Sequence, residues 1–99
     1  MLEDKIRKTL LRFGIAPYLK GFNYITNAIV NYDDDMKATD LYQIVADNFE
    51  TTPCSVERAI RYAFSVMDFK SDEVQEFFGK KFTNIGYISI LAWKLKRGD

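Results

Sequence analysis

Residues 42–61 read YQIVADNFETTPCSVERAIR, and the order of events inside them decides the fold. Leu41, Ile44, Val45 and Phe49 recur at helical spacing, so a helix capped by Thr39 or Asp40 runs through Asn48 with these four facing inward. Thr51, Thr52 and Pro53 then restart the chain. A hydroxyl can accept from the free N–H groups of a first turn, and Pro at the first helical position gives up a donor that had no partner there. The second helix begins at Pro53 and runs to about residue 67. Its inner face is Val56, Ala59, Ile60, Ala63 and Met67, which leaves Ser55, Glu57, Arg58, Arg61, Tyr62 and Ser65 outward or lateral. Small Ala46 lets the two helices approach closely. Glu50 stands where such a turn often needs positive φ, a conformation that Gly or Asn takes more easily. Two helices joined this tightly, the second with Arg on its outer face, fit a helix-turn-helix at about residues 40–67. Any pair of packed helices can satisfy the same spacing, so the pattern permits the motif without requiring it.

Outward from this unit the pattern stays helical. Leu2, Ile6, Leu10 and Phe13 share one face of a helix over 2–13, which Gly14 stops in a left-handed conformation. Pro17 is acceptable in a first turn, and Tyr18, Phe22, Ile25, Ile29 and Tyr32 predict a second helix over about 17–31. Gly21 lies inside it and weakens it by roughly 1 kcal/mol relative to Ala. Asp33, Asp34 and Asp35 read as a solvated connector; an EF-hand fails because Lys37 takes a ligand position and no Gly follows. Ser71 starts a short helix that stops near Gly79, and Thr83 or Asn84 caps a last one with the stripe Ile85, Ile88, Ala92 and Leu95. Beside that stripe runs a second apolar line, Tyr87, Ile90 and Trp93. It marks either a self-association surface or a helix buried on both sides. Val and Ile never alternate with polar residues over a strand length. The expected fold is a single all-α domain of five or six helices spanning residues 1–99.

Composition narrows the chemistry. With 47% hydrophobic residues and 15% aromatics, 99 residues can build one core. The chain has no His and a single Cys, which leaves no catalytic triad, zinc site or disulfide. No nucleophile has a base beside it and no Gly-rich loop could cradle a phosphate, so neither an enzyme nor a cofactor is expected. No apolar run is long enough to cross a bilayer, and MLEDKIRK lacks a signal core, so the expected location is the cytoplasm. The formal net charge is zero, but residues 1–22 carry +3 and residues 79–99 carry +4 against an acidic middle. A polyanion would meet the two ends and a few chosen side chains.

Residues 49–63, FETTPCSVERAIRYA, together with GIAPYLKGF at 14–22 and Phe82-Thr83-Asn84 downstream, carry a further signal. They resemble, in order and at compatible spacing, the DNA-binding effector domains of the stage zero sporulation regulators. The resemblance implies a helical domain whose recognition helix reads a short box in double-stranded DNA, binding as a dimer on tandem sites. It places Glu57, Arg58 and Arg61 at the base edges: Arg can donate twice to guanine O6 and N7, and a carboxylate can accept from cytosine N4. Without the resemblance, Glu57 and Arg61 read as a surface ion pair four residues apart. Thr51 and Thr52 can face phosphate or cap the helix. Ser55 stands where the family has Arg, and Tyr62 where it tends to have His. Lys20, Lys80, Lys81, Lys94, Lys96 and Arg97 are all candidate phosphate neighbours. Cys54 reads as a helix-start filler. Family regulators carry a phosphorylated receiver domain, for which 99 residues leave no room, so a stand-alone transcriptional regulator is expected. The alternative is a protein-interaction module or antagonist that keeps the fold, as a homodimer or paired with a full-length response regulator.

Overall fold

The computed structural model describes residues 1–97. Among them it contains six helices and no strand: α1 (Leu2–Arg12), α2 (Lys20–Asn31), α3 (Ala38–Asn48), α4 (Pro53–Ser65), α5 (Asp72–Phe78) and α6 (Asn84–Lys96). Three starts have the expected chemistry. Thr52 Oγ1 accepts from the Ser55 N–H at 3.1 Å with Pro53 at the first helical position, Ser71 Oγ from Val74 N–H at 3.2 Å, and Thr83 Oγ1 from Gly86 N–H at 3.2 Å. Gly14 (φ 85°) and Gly79 (φ 77°) end α1 and α5 in the left-handed region.

Three boundary expectations and two inward-facing assignments are corrected. α2 starts at Lys20, not at 17: Leu19 is extended and its N–H reaches back to the Ala16 carbonyl, so Pro17 and Tyr18 lie in a turn. Tyr18 is 87% exposed and belongs to no inner face. α3 starts at Ala38 with Lys37 as its half-in residue and without a side-chain cap, so Thr39 and Asp40 already sit inside its first turn. α4 ends at Ser65, whose hydroxyl donates to the Tyr62 carbonyl at 2.6 Å; Met67 is buried, but from the segment beyond the helix. Phe49 is exposed, because it follows the last residue of α3 and leaves the inward face to set its ring edge-on to Tyr24 at 5.0 Å.

α2 is the centre of the molecule, touching α1, α3, α4 and α6 and burying Phe22, Ile25, Ala28 and Ile29. Its crossing with α4 is close enough that a Cβ on Gly21 would overlap the Ala59 carbonyl oxygen and stand 2.7 Å from Ala63 Cβ. Gly21 is therefore the point where two backbones meet. The Asp68 N–H donates to the Phe13 carbonyl at 2.8 Å, which fastens the chain after α4 to the end of α1.

α5 is held by an aromatic cluster in which Phe13, Phe77, Phe78, Phe82 and Tyr87 meet at centroid distances of 4.9 to 6.4 Å. The second apolar line of α6 is covered along part of its length only. Tyr87 joins the cluster and Ile90 is half-buried, whereas Trp93 is 59% exposed with the Arg97 guanidinium 4.7 Å from its ring centre. Phe64, absent from the predicted inner face of α4, is buried against Tyr87 at 4.7 Å.

Candidate nucleic-acid interface

α3 and α4 are joined by Phe49 to Thr52, and the reversal is made at Glu50, the only non-glycine with positive φ among the described residues (55°). The Thr51 N–H then donates to the Ala46 carbonyl at 2.9 Å, closing the turn over the small side chain. Val45, Ala46, Val56 and Ile60 are buried between and beneath the two helices. This packing turns the opposite face of α4 to solvent.

That face carries Ser55, Arg58, Arg61 and Tyr62, all exposed, with Glu57 half-buried at its edge. Along α4 the side chains fall into two rows. Ser55, Arg58 and Tyr62 line a cleft of about 420 Å³ shared with Lys20, Tyr24 and Thr51. Arg61 borders a second cleft, about 320 Å³, shared with Lys81, Phe82 and Asn84. Each Arg thus has one Lys from another part of the chain on its side, a pairing that sequence spacing cannot reveal. Lys94 and Lys96 are engaged elsewhere, donating to the carbonyls of Phe77 (2.6 Å) and Tyr32 (2.8 Å), and Arg97 lies over Trp93. Burial lowers the Lys96 pKa, against the opposing pull of Asp33 and Asp34.

The remaining predicted site residues are placed as follows. Thr52 is committed to capping α4 and also donates to Ser55 Oγ at 2.9 Å, so both hydroxyls are tied into the first turn. Thr51 is half-buried at the rim of the first cleft. Arg58 Nη2 lies 3.7 Å from Cys54 Sγ, one turn below it on the exposed side. Arg61 Nη2 stands 3.8 Å from Glu57 Oε1, with the Arg side chain 64% exposed and the Glu side chain 36%. At that distance and exposure the pair is worth a few tenths of a kcal/mol and leaves the guanidinium free to change partners.

Glu57 has a second engagement that the sequence did not disclose. Its Oε2 accepts from Asn84 Nδ2 at 3.0 Å, across 27 residues of chain. Asn84 reads as a cap candidate, but Thr83 does the capping, which frees the carboxamide in the first residue of α6 to reach α4. Tyr42 of α3 joins the same corner. Its pKa is raised chiefly by burial and then by the Glu57 carboxylate, and hydrogen bonding to the Asn84 side chain opposes the rise.

Among the described residues, no helix is long and apolar enough to cross a membrane and no group of three His, Cys, Asp or Glu side chains is placed to hold a metal ion. Residues 6–95 match the family model described as the C-terminal domain of sporulation initiation factor Spo0A, and the all-helical architecture agrees with it. The chain belongs to this family of DNA-binding regulatory domains of sporulation initiation.

Proposed function

We propose that this chain recognises a short box in double-stranded DNA, with α3 and α4, about residues 40–67, acting as the helix-turn-helix and α4 entering the major groove. The observation that carries the reading is the uncovered Arg58–Arg61 ridge, flanked by Lys20 on one side and Lys81 on the other. Arg58 and Arg61 donate to guanine O6 and N7, and Glu57 accepts from cytosine N4. Lys20, Lys81, Thr51 and the first turn of α4, with Thr52 and Ser55, face the flanking phosphates. Ser55 is too short to replace the Arg that the resemblance implies at this position, so base reading rests on fewer long side chains. The site of action is the cytoplasm, where the chromosome is.

Fluorescence anisotropy with duplexes carrying tandem family-type boxes, at one fixed salt concentration, tests this. Arg58→Ala and Arg61→Ala should each weaken box binding by about 1–3 kcal/mol while changing affinity for scrambled duplex much less. Box affinity indifferent to both substitutions overturns the proposal. A second reading, a protein-interaction module working as a homodimer or with a full-length response regulator, is favoured by the exposed Trp93 and by Ser55. It predicts a dimer in sedimentation or co-purification with such a regulator; a monomer that captures none excludes it.

A further inference from the structure

Glu57 is a long, flexible side chain at the edge of a solvent-facing ridge, yet both of its oxygens are oriented. Oε2 accepts from Asn84 at 3.0 Å and Oε1 faces Arg61 at 3.8 Å. The donor belongs to a different helix: Asn84 is the first residue of α6, held in place by the Thr83 cap behind it. Phe82, immediately before the cap, packs its ring against Phe78 and Tyr87, so the segment that presents Asn84 is itself anchored in the core.

An unrestrained Glu side chain samples many rotamers, and ordering one on binding costs conformational entropy. A fixed donor removes much of that cost in advance, and one carboxamide N–H still leaves lone pairs on the carboxylate for an incoming amino group. From this we infer that Asn84 is a positioning residue for sequence reading: it holds the Glu57 carboxylate in the attitude that meets a base pair. The inference rests on the DNA-reading proposal above and extends it to a helix outside the helix-turn-helix. It also gives the Thr83-Asn84 pair two separate tasks, one starting α6 and the other fixing a side chain of α4.

Two measurements test it. In the free protein, Glu57→Gln should shift the Asn84 side-chain amide resonances in ¹H–¹⁵N spectra; unmoved resonances overturn the tether. In the second, a pool of duplexes with a randomised core is selected on the wild-type protein, and affinities are then compared for the enriched box and its single-base-pair substitutions. Glu57→Gln, Asn84→Ala and Asn84→Asp should each lower discrimination at the same base pair by about 5- to 10-fold and leave the other positions unchanged. Asn84→Asp keeps the shape and places an acid in a first helical turn, where the dipole favours it, so the fold persists while the donor becomes a repelling anion. The double variant Glu57→Gln/Asn84→Ala should lose no more than either single one. If Glu57→Gln flattens one position and both Asn84 variants leave it intact, the positioning role fails and DNA reading stands. If the wild-type protein enriches no box, DNA reading fails and takes the positioning role with it.

Discussion

Glu50 holds a left-handed backbone angle (φ 55°) that costs an L-residue roughly 1–2 kcal/mol, and it does so with an exposed anion beside the face proposed to meet DNA. Replacing it by Gly relieves the strain, offset in part by the larger chain entropy of glycine. Glu50→Gly should therefore raise unfolding stability by about 0.5–1 kcal/mol in urea titrations, and should tighten duplex binding by removing a charge. Gly21 runs the other way. Helix propensity alone makes Gly21→Ala a gain of about 1 kcal/mol, but the added Cβ would meet the Ala59 carbonyl and Ala63 at the α2–α4 crossing. The expected result is a loss of about 3 kcal/mol by chemical denaturation. The strain at Glu50 was legible because turn chemistry is local. The crowding at Gly21 was not, since the residues that cause it lie some forty positions away in the chain.

At the scale of elements, the caps carry most of what could be read in advance. Thr52-Pro53, Ser71 and Thr83 place the starts of α4, α5 and α6 because a hydroxyl needs only its own next three residues to do its work. Thr52→Ala should cost about 1 kcal/mol, seen as a fall in Tm of about 4–8 °C for a domain of this size, with Thr52→Ser close to wild type. The starts of α2 and α3 were misplaced for the complementary reason. Neither has a side-chain cap, so tertiary packing alone decides where the helix begins. The pairing of Arg58 with Lys20 and Arg61 with Lys81 belongs to the same class: it follows from how helices cross, and nothing along α4 announces it.

Across the whole molecule, zero net charge limits how much of any affinity for DNA is carried by bulk attraction. The cations of Lys94 and Lys96 are committed to carbonyls and that of Arg97 to Trp93, whereas those bordering the exposed face of α4 are Lys20, Arg58, Arg61 and Lys81. Plots of log affinity against log salt should accordingly be shallow, with a slope of about −2 to −4, since each phosphate contact contributes about −0.9. A slope near −8 would point to a much broader basic footprint. The all-α class and the exposed face of α4 were readable from periodicity, because one apolar stripe per helix is enough to say which side is covered. The direct approach of α2 to α4 at Gly21 has one more consequence. Without a cushion of side chains between the two backbones, α4 has no play about its own axis, and any roll of the ridge must drag the central helix of the core with it. In the proposed complex, misfit between protein and groove would be taken up by the duplex, through local bending or unwinding, so steps that deform easily should be favoured even where no side chain touches a base.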